Sequence, residues 1–177
     1  MRKTALVCGL VLLASLLVVA QQDKSKRPSP PGSASCRFAD GKQVNIDYSR
    51  PSTKGRQIYG GLVPWDKVWR TGANEATTFV TDTNLNVGGT QVPAGAYTLY
   101  TVPSQTNWKL VISKKTGQWG IPYPENEDLA RIDMKSEPLP SQVEEFTINF
   151  VQHGGSACTL NLDWERTRAS VAVSEQK

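Results

Sequence analysis

Residues 146–164 read FTINFVQHGGSACTLNLDW, two runs of alternating apolar and polar residues joined by His153-Gly154-Gly155. Alternation with a period of two is typical of a strand with one buried face. Glycines in the connection favour a tight turn, because they adopt backbone conformations that other residues avoid. We therefore expect an antiparallel hairpin whose core-facing residues are Phe146, Ile148, Phe150, Cys158, Leu160, Leu162 and Trp164.

The same alternation recurs along the rest of the chain. It is clear at residues 44–48 and 132–135, and further strands are expected at 77–82, 84–87, 96–102, 108–113 and 169–173. Turn residues such as Asp40-Gly41 and Gly88-Gly89 separate these runs, and no stretch shows a helical period. The pattern predicts an all-β, single-domain antiparallel sandwich or barrel-like fold of about nine or ten short strands with one long inserted loop.

The N-terminus has the pattern of an export signal. Arg2 and Lys3 precede an uncharged apolar run over residues 5–19, and the small Ala20 stands before Gln21. This pattern predicts a signal peptide over 1–20, with an uncleaved membrane anchor as the alternative. A Pro/Ser/Lys-rich stretch over 21–32 is expected to be a flexible tether, and 33–177 a single β domain. The mature protein is then periplasmic or extracellular, with no membrane span.

The charge balance argues against a nucleic-acid partner. The chain has 20 basic and 16 acidic residues, and cleavage at Ala20 removes Arg2 and Lys3 to leave 18 against 16. Without the predicted tether the balance is 15 against 15. Nucleic-acid binding requires a concentrated basic surface, which a neutral domain does not supply by composition.

The cysteine count fits an oxidising compartment. Cleavage discards Cys8 and leaves Cys36 and Cys158, which share strand parity with core residues. We expect a disulfide between them, with two buried free thiols as the alternative. Two cysteines and the single histidine, His153, are too few for a structural zinc site, so neither a metal nor another cofactor is expected.

One segment departs from the alternating pattern. Residues 49–76 read SRPSTKGRQIYGGLVPWDKVWRTGANEA, a long connection between two strands. Connections of this length in a compact domain are often functional. We expect a short helical turn over 63–69, with Trp69 plugging the end of the sandwich, and we expect any function to lie within 50–75. Candidate ligand-binding residues are Arg70, Asn74 and Glu75, with Trp65 and Trp119 as aromatic platforms. Alternatively, Arg70 and Glu75 pair with each other structurally.

Three stretches of the chain resemble a known family. They are GRQIYGGLVPWDKVWRTGANEATTF (55–79), VPAGAYTLYTVP (92–103) and WKLVISKKTGQWG (108–120). They are similar to the bacterial domain-of-unknown-function 2911 family, and the resemblance covers nearly all of the mature domain. It implies an exported β-sandwich-like domain and brings no activity, substrate or catalytic residue with it.

Three classes of function remain open. The leading hypothesis is an exported non-catalytic domain that binds a polar ligand, either a glycan or a peptide, or supports an assembly with an envelope protein. The second is a carboxylate-dependent hydrolase such as a glycosidase, pairing Glu75 with Asp47, Asp66 or Asp163. The third is a purely structural envelope domain. No catalytic residue is assigned, because His153 lies at a predicted turn, and the oligomeric state is left open.

Overall fold

The structure is a computed structural model and describes residues 23–176. The predicted signal peptide, 1–20, lies outside the described residues. The described part contains two short 3₁₀ segments, Lys24–Lys26 and Glu125–Glu127. Its nine strands are β1 (Pro31–Arg37), β2 (Gln43–Ser49), β3 (Thr77–Thr81), β4 (Leu85–Val87), β5 (Thr90–Val92), β6 (Gly95–Val102), β7 (Trp108–Ser113), β8 (Asp128–Gln152) and β9 (Ala157–Glu175).

The strands form one open antiparallel sheet in the order β1-β2-β3-β6-β7-β8-β9-β4-β5. The predicted all-β antiparallel class is therefore confirmed. The sheet folds back on itself as in a sandwich: the C-terminal half of β8 approaches β1 and β2, where the amide of Ile148 donates to the Tyr48 hydroxyl at 2.9 Å.

Two strands are longer than the alternation indicated. β8 spans 25 residues and β9 spans 19, so each joins two runs that the sequence analysis treated as separate strands. The pairing between them shifts register between Pro138 and Val143 and again between Val143 and Thr147. Such irregularities bend a strand without ending it, because extra residues on one side increase the local twist. The chain therefore turns the corner of the sandwich within continuous strands.

A single apolar core fills the fold, and its largest fully buried side chains include Trp108, Trp164 and Phe146. Cys36 on β1 and Cys158 on β9 are both buried and form a disulfide with their Cα atoms 6.6 Å apart. The predicted disulfide is thus present, and it links strands that are 122 residues apart in the chain.

The long connection between β2 and β3 closes one end of the core. Ile58, Tyr59 and Val63 are buried, and the Trp69 ring stacks on Trp164 with 5.5 Å between ring centroids. The expectation that Trp69 plugs the sandwich end agrees with this packing. The helical turn predicted over 63–69 was wrong: this stretch consists of turns and isolated bridges, because its backbone pairs with distant partners such as Thr101.

The segment before the first strand contacts this connection. The Asn74 amide donates to the carbonyl of Ser29 at 3.0 Å, and the amide of Arg50 donates to the carbonyl of Pro30 at 2.8 Å. β1 begins at Pro31, two residues inside the segment assigned to the tether. Among residues 23–176, no helix has the length and apolar character needed to cross a membrane.

Candidate functional site

A pocket of about 530 Å³ lies between the β2–β3 connection and the loop after β7. Its volume falls within the range of small-molecule sites, roughly 300–1,000 Å³. Among residues 23–176, two guanidinium groups line it and no carboxylate does. The residues that line it are Ser29, Pro51, Arg56, Leu62, Val63, Val68, Trp69, Arg70, Gly72, Ala73, Tyr100, Gly120, Ile121, Tyr123 and Trp164.

The backbone on both sides of Arg70 is held in place. Trp69 exchanges two backbone hydrogen bonds with Thr101, of 2.8 and 2.9 Å. Thr71 is fully buried at a φ of 54°, a conformation that a β-branched residue rarely adopts. Its hydroxyl donates to the carbonyl of Trp69, and its own carbonyl accepts from the Thr77 hydroxyl at 2.6 Å. Strained backbone of this kind persists only where its surroundings enforce it, and it is enriched at binding sites.

The Arg70 guanidinium has an unusual environment. Its Nη1 atom is buried and has no hydrogen-bond partner among the described residues. Its Cζ atom lies 5.5 Å from the centroid of the Trp119 ring, a cation–π contact. Burial lowers the pKa of Arg70, yet a guanidinium remains protonated at neutral pH. A covered cationic donor without an acceptor is costly, so this group is poised to bind an acceptor from a ligand.

Gly120 allows the loop after β7 to lie close to Arg70. It has a φ of 93°, and a Cβ atom added to it would lie 3.2 Å from the Cβ and 3.4 Å from the Cδ of Arg70. The absence of a side chain here lets the loop that carries Trp119 pack against the alkyl part of Arg70.

Apolar side chains are exposed at this pocket. Of four large apolar residues exposed within 23–176, Leu62 (48%) and Ile121 (68%) line it, and Trp119 (54%) contacts Arg70. The fourth, Val151, lies on β8. Exposed apolar groups gathered beside a polar group are a common property of binding surfaces.

Two tyrosines in the lining differ in how their hydroxyls are used. The Tyr123 hydroxyl donates to the Asp128 carboxylate at 2.5 Å, and burial together with that carboxylate raises its pKa. The Tyr100 hydroxyl accepts from the Gln118 amide at 3.1 Å and donates to no acceptor among the described residues. Tyr100 therefore has a hydrogen available for a ligand, whereas Tyr123 does not.

The structure places Glu75 away from this pocket. Its carboxylate accepts two hydrogen bonds from Arg27, at 2.8 and 2.9 Å, and lies 3.3 Å from the Lys24 ammonium. The hydrogen bonds from Arg27, and to a smaller extent the Lys24 ammonium, lower the pKa of Glu75 to about 2. The suggested Arg70–Glu75 pair is thus not formed, because the segment before β1 supplies the cations instead.

Two other predicted site residues, Asn74 and Trp65, do not line the pocket either. The Asn74 amide donates to Ser29 and to the Ser49 hydroxyl, which ties the segment before β1 to the domain. Trp65 is partly buried and stacks on Tyr59 at 5.8 Å, as part of the core packing. The structure therefore brings together Arg70 and Trp119, and places Asn74, Glu75 and Trp65 elsewhere.

Among the pocket residues that were not predicted as site residues are Arg56, Leu62, Tyr100 and Ile121. Tyr100 follows the strand pattern and reads from sequence as a core residue. Ile121 follows Gly120 in a loop, where an apolar residue next to Pro122 was a signal for exposure. No comparable signal in the sequence distinguished Leu62.

Two of the acids proposed for hydrolysis, Glu75 and Asp163, are held in ion pairs. Asp47 and Glu75 line another cavity, of about 310 Å³, but Glu75 is ion-paired and a pKa near 2 does not suit a general acid. Asp163 is buried and accepts from Arg168 at 2.6 and 2.7 Å. Within 23–176, no group of three or more His, Cys, Asp or Glu residues is arranged to hold a metal ion.

Comparisons with known proteins place the chain by family only. No curated protein and no solved structure matches it. The family of proteins of unknown function DUF2911 matches residues 29–173, which include all the residues that line the pocket. Because the match covers most of the chain, the protein belongs to the DUF2911 family.

Proposed function

We propose that the protein is an exported, non-catalytic domain that binds a polar ligand, a glycan or a peptide, in the Arg70 pocket. The observation that carries this proposal is the buried Nη1 atom of Arg70, a cationic donor without an acceptor on a residue that lines a cavity of ligand size. Burial of such a donor destabilises the free protein, and a ligand that brings an acceptor recovers that free energy. The site is thus arranged to favour the bound state.

The lining of the pocket supports binding over catalysis. General acid–base catalysis needs a carboxylate, an imidazole or a similar group whose pKa lies near the working pH. The ionisable groups that line the pocket are the two guanidiniums and two phenols, and one of those phenols is bound to Asp128. Such groups position a ligand well and exchange protons poorly at neutral pH.

Export is the second part of the proposal. The predicted signal peptide and the disulfide between Cys36 and Cys158 both fit an oxidising compartment. We expect the mature protein to begin at Gln21 and to be found outside the cytoplasm. Intact-mass measurement of the exported protein tests this, and a mass that still includes residues 1–20 would indicate a membrane anchor.

A glycan and peptide array, screened with the exported protein, tests the binding function. Arg70→Met should abolish binding because it removes the donor and keeps a side chain of similar length. Arg166→Met, at an exposed position on β9, is the matched control and should bind like the wild type. Binding that survives Arg70→Met would place the site elsewhere. The absence of any ligand from both arrays would contradict the binding of a glycan or a peptide in this pocket.

A further inference from the structure

We propose that the ligand of the Arg70 pocket is an apolar carboxylate, that is, a carboxylate group attached to an aliphatic or aromatic body. This inference rests on the proposed binding function and specifies its ligand. The carboxylate would bind Arg70 and Tyr100, and its apolar body would contact Trp119, Leu62 and Ile121.

The charge of the pocket favours an anion. Arg56 and Arg70 both line it, and none of its lining residues in the described part of the chain is a carboxylate. Arg56 donates to the backbone carbonyls of Thr53 and Ser52, at 2.9 and 2.8 Å, and the Glu144 carboxylate attracts it without a salt bridge between them. A ligand with one negative charge would therefore be attracted by Arg70 and more weakly by Arg56.

The donors that the pocket offers match a carboxylate better than a phosphate. Among the described residues, Arg70 Nη1 and the Tyr100 hydroxyl are buried side-chain donors without an acceptor, which gives one donor for each oxygen of a planar carboxylate. Phosphate sites generally add several free backbone amides. Here the amides of Val63 and Trp69 already donate to the carbonyls of Ile58 and Thr101.

The Tyr100 hydroxyl is held in position by Gln118. The Gln118 amide nitrogen lies 3.1 Å from the Tyr100 oxygen, 3.2 Å from the Thr98 hydroxyl and 3.1 Å from the Lys115 carbonyl, and shares its two hydrogens among these acceptors. Because the Lys115 carbonyl only accepts, the amide nitrogen must face it, and the Tyr100 oxygen is used as an acceptor. The phenol hydrogen is thereby left for an acceptor in the pocket.

The rest of the pocket is suited to an apolar body. Its inner surface includes Val63, Val68 and Trp69, while Leu62 and Ile121 leave about half or more of their surface in water. A sugar presents hydroxyl groups to such a rim and leaves the cations without a counter-charge. An aliphatic or aromatic group covers the rim and the Trp119 ring, which removes apolar surface from water.

Two sources supply this chemistry: the C-terminal residue of a peptide with an apolar side chain, and a free organic acid. Titration calorimetry with three probes separates them: 4-phenylbutyrate, N-acetyl-alanyl-phenylalanine, and the C-terminal amide of that dipeptide. We expect at least one acid to bind and the amide to bind at least tenfold more weakly, because an amide is neutral. The acid that binds more tightly identifies the source.

Two variants tie that binding to the pocket. Arg70→Met should weaken acid binding at least tenfold, and Tyr100→Phe should weaken it by a smaller factor, because it removes a neutral donor. Arg166→Met should leave it unchanged. In the wild type, acid binding should also shift the NMR signal of the Trp119 indole N–H.

The outcomes separate this inference from the proposed function. If the amide binds as well as the acid, or if Arg70→Met binds the acid normally, the carboxylate assignment is wrong. If a neutral glycan binds at Arg70 while neither acid does, the binding function stands and the inference fails. If neither the probes nor the arrays give a ligand, both proposals fail together.

Discussion

Replacement of Arg70 by methionine should make the free protein more stable while it removes ligand binding. Methionine keeps the alkyl part that packs on Gly120 and lacks the covered Nη1 donor. Removal of a buried unsatisfied donor gains about 1–3 kcal/mol. Loss of the cation–π contact with Trp119 costs about 0.5–1 kcal/mol at an exposed ring. The expected net gain is about 1 kcal/mol, or roughly 2–4 °C in Tm for a domain of this size.

Urea unfolding and calorimetry, both without ligand, measure this difference. Arg166→Met is the matched control and should change the free energy of unfolding by less than about 0.5 kcal/mol. With an apolar carboxylate at about 100 times its Kd, the order should reverse. The wild type then gains about 2.7 kcal/mol by mass action, and Arg70→Met gains almost nothing. If Arg70→Met instead loses 1 kcal/mol or more without ligand, the guanidinium has a stabilising partner within the protein, and the reasoning from an unpaired donor is refuted.

Three further perturbations test the framework around the pocket. Replacement of both Cys36 and Cys158 by alanine should lower the free energy of unfolding, measured in urea, by at most about 5 kcal/mol. This limit is the chain-entropy value for a loop closed over 122 residues. Glu75→Gln should cost less than about 1 kcal/mol at pH 7, because the pair is partly exposed. Since folding lowers the pKa of Glu75 from 4.5 to about 2, that cost should be complete above pH 4.5 and fade as the pH falls toward 2; a cost independent of pH would contradict the ion pair. Trp69→Ala should cost about 3 kcal/mol in thermal unfolding, and a near-neutral effect would show that the ring does not plug the core.

Much of the sheet was predictable because its signals are local. Side chains of a strand alternate between faces, so a run such as 132–135 shows both the strand and its buried side. The same parity placed Cys36 and Cys158 toward the core and supported their pairing, which the structure contains. The local pattern did not show that β8 continues through Pro138, because register shifts between strands depend on the partner strand.

The partners of the charged residues followed from long-range packing instead. Arg70 and Glu75 are five residues apart, and proximity in the chain made their pairing a reasonable hypothesis. The fold separates them: Glu75 pairs with Arg27, 48 residues earlier, and Arg70 packs against Trp119, 49 residues later. Ion pairs and cation–π contacts act over a few ångströms, so sequence distance says little about which of them form.

Composition and alternation were thus enough to predict an antiparallel β domain with one disulfide and one long connection that carries chemically useful side chains. Which of those side chains share a pocket was decided by how that connection folds over the end of the core. Backbone bonds between Trp69 and Thr101 fix the direction of Arg70, and Gly120 admits the loop that carries Trp119. The periodicity of a strand is a property of adjacent residues, whereas a buried guanidinium nitrogen without a hydrogen-bond acceptor arises only when distant segments pack together.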